Sequence, residues 1–437
     1  MSKTMITRIA PSPTGEMHIG TLGMAICNYM ASKTHGGKFN IRIEDTDQKR
    51  FVEGSADRLL AAFKKIGLHF DNEDNIPYQS TRGEIYQSVA NKLVADNKAY
   101  MDEGAIRLRA PENAAPVVWN DLVKGEMKLP PLERDPVILK STGIPPYNLA
   151  HVIDDLAMGT THVLRGEEWL ASTAEHVQIF EAIHGTRQMP WQYAHLPVIC
   201  VIDPETNNKR KLSKRKDKQA LVDYFLDAGY PVDALIEYLL TIFNTDYELW
   251  RIANPTKPWR DFEFRFEKIG SNSPLFDWDK LNRISADMIA KLSCKEINAE
   301  VKKYFNALRD KVGESTFNMA NAHLIEKGLT EKQYETVCTL LSVDRETERP
   351  RKDIAKYGDI LTEFDYAFRP VKMSKLLETY VGLFTKKENR DEWFARVKEH
   401  CVAHGIKPRD YTQEIRKALT GREHSTDLYT ITKVLLF

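Results

Sequence analysis

Hydrophobic residues recur with two different periods along the first part of the chain, and each change of period marks an element. Residues 5–10 (MITRIA) read as a short strand that stops at Pro11. Beyond a stretch rich in Pro, Ser and Gly, Leu22, Ala25, Ile26, Tyr29 and Met30 recur at helical spacing. Lys38–Ile43 alternates as a second strand and ends on the acidic cluster Glu44-Asp45-Thr46-Asp47. Strand, glycine-containing turn, helix and strand make a βαβ unit, the opening of a doubly wound parallel sheet. Ligands of such sheets sit beyond the carboxyl ends of the strands, where both Pro11–Thr21 and Glu44–Asp47 fall.

The pattern then breaks. From about 84 to 140 it predicts short strands, turns and prolines, an insertion between two halves of the sheet domain (1–83 and 141–208). The α/β alternation resumes at Tyr147, continues through a helix to about His184, and reaches a strand at His195–Ile202. A basic loop follows, opening a region that runs to about 305, and beyond residue 220 the chain reads mostly helical to its end, with a last domain at 306–437. In that domain Trp393, Phe394, Val397 and Cys401 form a stripe read as core packing. The fold class predicted is α/β, a split parallel-sheet domain with an insertion, followed by a mostly α-helical part.

Composition narrows the setting more than the function. The 437 residues are 42% hydrophobic and 28% charged, ordinary for a globular chain of two to four domains. Sixty-two basic side chains balance 62 acidic ones, so any contact with a polyanion must rest on a local basic stripe. The five cysteines are scattered, with no CxxC pair and no close histidine partner, which predicts free thiols in a reducing cytoplasm and no zinc or other metal site. The start lacks the apolar core of a signal peptide, and no stretch approaches the ~18 apolar residues of a membrane span.

Two constellations carry candidate chemistry. In Pro11-Ser12-Pro13-Thr14-Gly15-Glu16-Met17-His18-Ile19-Gly20-Thr21 the prolines fix a turn, the glycines permit close backbone approach, and the next helix offers free N–H groups and a positive dipole end. That suits a phosphate, although an ordinary βα loop with a solvent-facing histidine shares the pattern. The second is the basic run Lys209–Lys218, in which seven of ten residues are Lys or Arg. Alone it reads as a solvated face. Placed after a sheet strand, on the same rim as His18, it suits a triphosphate whose charge must be neutralised.

Together these segments resemble the class I aminoacyl-tRNA synthetases of the glutamyl type. PSPTGEMHIGT resembles that family's HIGH motif, with Thr21 in the last position, and Lys211-Leu212-Ser213-Lys214-Arg215 resembles its KMSKS loop. RIEDTD (Arg42–Asp47), the stretch from Tyr147 through Arg165 and GEEWL, HLPVI, LFDWDKLNRIS, RPRKDI and ALTGREHSTDLY extend the likeness, in order, over nearly the whole chain. Lys372-Met373-Ser374-Lys375 spells the KMSK consensus better, yet no sheet strand feeds it, and it is read as a coincidence on a helix.

The resemblance implies a Rossmann-type catalytic domain with an acceptor-binding insertion, a stem-contact region at 209–305 and a helical anticodon-binding domain. It implies ATP as cosubstrate with Mg²⁺, L-glutamate and tRNA(Glu) as substrates, tRNA(Gln) as an open second acceptor, and a monomer. Pro11, Gly15, His18, Gly20, Thr21, Glu168, Trp169, Lys211, Leu212, Ser213, Lys214 and Arg215 would form the ATP site, with His18, Lys211 and Lys214 catalytic. Arg8, Ser12, Glu44, Tyr147, His151 and Arg165 would hold glutamate, Arg8 at its side-chain carboxylate and Glu44 at its ammonium. Such a pocket needs no editing module, because an uncharged or shorter analogue leaves buried polar groups unpaired. The helical ending implies the bacterial glutamyl type over the glutaminyl one.

Overall fold

The computed structural model describes residues 4–47, 49–112, 114–310, 329–384 and 388–437. The chain forms two compact units, Met1–Asp223 with Ile236–Asp277, and Tyr224–Leu235 with Trp278–Phe437.

In the first unit, β1 (Ile6–Ile9), α1 (Ile19–Thr34) and β2 (Lys38–Ile41) form the predicted βαβ unit. β1 and β2 are parallel, in register from Ile6↔Lys38 to Ile9↔Ile41. Helix α1 buries Leu22, Ala25, Ile26 and Met30, four of the five residues assigned to its inner face. Helices α2 (Ser55–Ile66) and α3 (Gly83–Ala95) follow. Helix α3 stands where short strands were predicted. Its Tyr86, Ala90 and Leu93 lie at helical spacing and pack into a core shared with the next strands.

The strands β3 (Ala99–Asp102), β4 (Ala105–Leu108), β5 (Val117–Asp121), β6 (Gly125–Leu129) and β7 (Val137–Leu139) come next. β3, β4 and β7 form an antiparallel sheet of their own. The β5–β6 hairpin instead extends the sheet built by α4 (Tyr147–Ala157), β8 (His162–Gly166), α5 (Thr173–His184) and β9 (Gln192–Leu196), in the order β6-β5-β9-β8. β8 and β9 are parallel. The two parallel pairs meet where Thr161 N donates to Ile6 O at 2.9 Å and Ile6 N to Thr161 Oγ1 at 2.8 Å.

The strand predicted over His195–Ile202 is interrupted at Pro197, which offers no N–H to a ladder. Beyond it β10 (Cys200–Ile202) turns back as an antiparallel hairpin with β11 (Lys209–Lys211). Helices α6 (Val222–Ala228), α7 (Val232–Phe243) and α8 (Tyr247–Ala253) follow.

The second unit is helical, as the sequence predicts; residues 311–328 and 385–387, within the predicted helical stretch, lie outside the described residues. Its core gathers Ile297, Val301, Phe305, Val337, Leu340, Tyr380, Val397, Ile415 and Ile431. Among the described residues, capping boxes start three of its α-helices, at Ser293/Glu296, Thr330/Gln333 and Asn389/Glu392. Of the predicted stripe, Trp393, Val397 and Cys401 are buried but Phe394 is 39% exposed, because it lies one residue off the 3.6-residue face. In the KMSK-like sequence Lys372–Lys375, Ser374 caps helix Lys375–Gly382 by accepting from Leu377 N, so its serine already serves a structural purpose. Among the described residues no helix is long and apolar enough to cross a membrane.

Candidate active site

At the carboxyl end of β1 the chain must reverse and start α1, and two glycines set how. Gly15 has φ +113°, a conformation L side chains rarely adopt, and is pinned by Ser55, whose hydroxyl accepts from Gly15 N (2.9 Å) and donates to Gly15 O (2.8 Å). Gly20 N donates to Nδ1 of His18, the N-cap of α1, at 2.9 Å. A Cβ on Gly20 would fall 2.9 Å from that nitrogen, so only glycine allows the ring this position. With Nδ1 accepting, a neutral His18 carries its proton on Nε2. Burial, reinforced by the Lys214 and Lys211 charges, lowers its pKa to about 4 against a hydrogen bond to the Leu212 backbone. His18 is therefore a neutral donor near pH 7.

The basic run is braced internally. Arg210 pairs with Asp203 (2.6 Å) and Asp217 (2.7 Å), and Asp217 also accepts from Ser213 N at 2.9 Å. Lys211 Nζ meets Glu168 Oε1 at 2.6 Å, and Lys214 Nζ donates to the Glu16 carbonyl oxygen. Lys214 makes no ion pair among the described residues and feels the Glu16 charge only from a distance, so it presents a less neutralised ammonium than Lys211.

Between these segments opens a cavity of about 660 Å³. One end is walled by Pro11, His18, Gly20, Thr21 and the loop Lys211–Lys214, with Glu168 and Trp169 beside them. Arg8, Ser12, Glu44, Tyr147 and Arg165 line the rest. Three candidate residues do not line it. Gly15 shapes the turn, Arg215 is exposed on the loop, and His151 is fully buried, its ring 5.5 Å behind that of Tyr147.

Buried ion pairs organise the far end. Asp155 accepts from Arg8 Nε (2.7 Å), Arg8 Nη2 (3.1 Å) and Arg42 Nη1 (3.1 Å), which hold its pKa well below the usual carboxylate range against the cost of burial. Arg42 also bonds Glu44 at 3.0 Å, and Arg82 bonds Asp154 at 2.8 Å. Arg8, Arg42 and Arg82 are thus matched one for one by Glu44, Asp154 and Asp155. Arg165 differs. Its donors meet His195 Nε2 (3.0 Å), Tyr147 Oη (3.2 Å), His176 Nδ1 (3.2 Å), the Trp169 carbonyl (3.1 Å) and Thr173 Oγ1 (2.9 Å), all of them neutral acceptors. Its face lies 4.9 Å from the Tyr193 ring.

The imidazoles around it are kept neutral by burial: His151 is lowered to about 3, His176 well below its ordinary value, and His195 downward despite Asp121. A histidine whose folded pKa is depressed adds stability above its unfolded pKa, and that stability drains away as pH falls through the gap, where the unfolded chain binds more protons. Melting temperatures from about pH 7.5 to about pH 4.5 should therefore decline steadily below about pH 6.5. A flat profile there would mean that these rings are charged in the fold.

The family profile for class I tRNA synthetases (E and Q), catalytic domain, matches residues 4–105 and 102–282. A glutamate–tRNA ligase of Clostridium beijerinckii is 33% identical, over 98% of this chain and 91% of that protein. The chain belongs to this family. A second glutamate–tRNA ligase, from Clostridium perfringens strain 13, is 31% identical over 98% of this chain and 92% of its own length. The fold also matches the crystal structure of a glutamate tRNA ligase from Elizabethkingia meningosepticum in complex with its amino acid, with a TM-score of 0.77 at 20% identity, covering 99% and 97% of the two chains.

In this class I synthetase the residues that sequence reasoning left unassigned are those that serve the cavity from behind: Asp121, Asp154, Asp155, Thr173, His176 and His195. The Asp154-Asp155 pair on an otherwise apolar stretch of α4 was the one readable signal, since two adjacent buried carboxylates require cationic partners. Among the described residues no group of three or more His, Cys, Asp and Glu side chains is placed to hold a metal ion.

Proposed function

We propose that this chain ligates L-glutamate to tRNA in two steps driven by ATP. In the first, an α-carboxylate oxygen of glutamate attacks the α-phosphorus of ATP. A new acyl–phosphate bond forms, the bond to the bridging oxygen breaks, and pyrophosphate leaves with the electron pair. In the second, a hydroxyl of the terminal adenosine of tRNA attacks the acyl carbon, and AMP departs. The observation that carries the reading is one cavity joining a cationic loop and a neutral His18 donor to Arg165, a buried guanidinium held by neutral acceptors only.

Charge decides the substrate end. The side-chain carboxylate of glutamate would displace Tyr147 Oη or the Trp169 carbonyl from Arg165, giving that charge a partner. Arg8 spends its Nε and one face of Nη2 on Asp155, so a substrate meets it from the Nη1 side, whose present bond to Leu164 O is long at 3.4 Å. Glu44 would take the ammonium, and Ser12 the neighbouring wall. Glutamine, with a neutral amide, would leave Arg165 without a counter-charge, which a pocket of this kind penalises. At the other end Lys211 and Lys214 would spread over the triphosphate, as phosphoryl transfer demands. Magnesium would arrive with the phosphates, Glu168 being the nearby carboxylate, and would neutralise their charge.

The remaining assignments rest on the sequence pattern and on family membership. Residues 84–140 would bind the acceptor end, 209–305 the stem, and 306–437 the anticodon of tRNA(Glu), with tRNA(Gln) a second acceptor to be tried. A monomer in the reducing cytoplasm fits the five unpaired thiols. Pyrophosphate exchange with glutamate, ATP and tRNA should proceed, and glutamine should give on the order of 10⁴-fold less. Absence of exchange with glutamate, or equal exchange with both amino acids, would sink the reading.

A further inference from the structure

Asp121 stands at the end of β5, in the hairpin that joins the insertion to the β8–β9 sheet, and is 1% exposed. Its two oxygens have separate duties. Oδ1 accepts from the backbone N–H groups of His195, Val123 and Lys124, each at 3.1 Å. Oδ2 faces His195 Nδ1 at 2.5 Å. On the far side of the same imidazole, Nε2 accepts from Arg165 Nε at 3.0 Å.

The proton positions follow from the chemistry of the end groups. A guanidinium N–H only donates, so His195 Nε2 must be bare; an ionised carboxylate only accepts, so Nδ1 must carry the proton. His195 is thus held as one tautomer of the neutral ring, and burial with the Arg165 charge opposes its protonation. A carboxylate, an imidazole and a guanidinium run in line from the hairpin to the cavity wall. The other titratable groups nearby are accounted for: His176 Nδ1 accepts from Arg165 Nη1 while Nε2 faces Asn148 at 2.9 Å, and Lys124 is paired with Glu167 at 2.6 Å.

We propose that Asp121 and His195 are positioning residues for the substrate carboxylate: Asp121 selects the His195 tautomer whose Nε2 fixes the orientation of Arg165 in the pocket. The inference rests on the reading of Arg165 as the group that meets the side-chain carboxylate of glutamate. Neither residue touches substrate. Their effect is geometric, since a guanidinium rotated off its plane loses the paired approach that makes it selective for a carboxylate.

Asp121→Asn tests this with almost no change of shape. The three backbone donors require an acceptor at Oδ1, so the new amide N–H₂ must face His195 Nδ1. That nitrogen becomes the acceptor, the proton moves to Nε2, and an N–H then points at the Arg165 Nε–H. The variant should fold with an unchanged helical and strand signature and an ATP KM close to the parent's. Its glutamate KM should rise on the order of tenfold or more. A glutamate KM equal to the parent's in a folded variant would overturn the proposal, and so would equal losses for ATP and glutamate, the mark of a merely structural role.

A measurement on the unaltered protein guards against misfolding of the variant. In ¹⁵N-histidine-labelled protein, with the His195 signals assigned by their loss in His195→Gln, Nδ1 should be protonated and Nε2 bare; a protonated Nε2 would end the argument. A parent without glutamate-dependent exchange defeats the functional reading, whereas an active parent with an indifferent Asp121→Asn defeats only the positioning role.

Discussion

Replacing Lys214 with alanine should lower glutamate-dependent pyrophosphate exchange on the order of 10²- to 10³-fold while leaving the melting temperature where it was. The asymmetry between the two lysines of the loop is the reason. Lys211 lies against the Glu168 carboxylate, so part of its charge is already compensated. Lys214 donates to the Glu16 carbonyl oxygen and makes no ion pair among the described residues, and burial lowers its pKa against the more distant Glu16 charge. A cation held this way gains little where it sits and more when negative charge develops on a bridging oxygen, which is how a fixed donor accelerates a reaction instead of merely binding substrate. Truncation removes no ion pair from the fold, so stability should not move. Lys375→Ala, in the better-spelled but misplaced KMSK sequence, serves as control and should be silent, because Ser374 there is a helix cap. Exchange within a few-fold of the parent for Lys214→Ala would shift catalysis to another cation of the loop.

The same contrast shows what a sequence exposes and what it hides. His18, Gly20 and the Lys211–Lys214 loop were legible because each acts through a local arrangement: a cap, a tight turn, and a run of charge after a strand. Their meeting on one rim followed from the parallel βαβ topology alone. Arg8 was legible as a residue but not as a geometry, since its partner Asp155 lies 147 positions away and takes its Nε edge. Tyr147 and Arg165 were found by family likeness, whereas Thr173, His176 and His195, which hold Arg165, come from two separate elements, the first turn of α5 and strand β9, that no single period links. Helix α3 was lost among the strands and prolines that follow it, and Phe394 was overcounted because Trp393 is its neighbour. Local rules reported local structure; the cavity is mostly made of long-range contacts.

The fold's largest single dependence in this region should be on Asp155. Asp155→Asn should destabilise the protein by about 3–5 kcal/mol, because it removes one buried charge and leaves Arg8 without a counter-ion. Arg8 is 3% exposed and Arg42 fully buried, and both direct guanidinium N–H groups at this carboxylate. Thr160 Oγ1 also donates to it at 2.9 Å, and His151 Nδ1 lies 2.8 Å away. Arg42 would keep Glu44, but Arg8 would retain only the long contact to the Leu164 carbonyl. An asparagine amide preserves shape and one acceptor, so the loss reports charge rather than a cavity. Urea unfolding should show a lower midpoint with an unchanged slope. Saturating glutamate should then stabilise the variant relative to its own free form, through mass action and through a carboxylate placed near the deprived Arg8. A midpoint within about 1 kcal/mol of the parent's would show that Glu44 and Asp154 suffice to balance these guanidiniums. Asp155 would then be a filler of space, not the counter-ion on which the Arg8 end of the cavity is built.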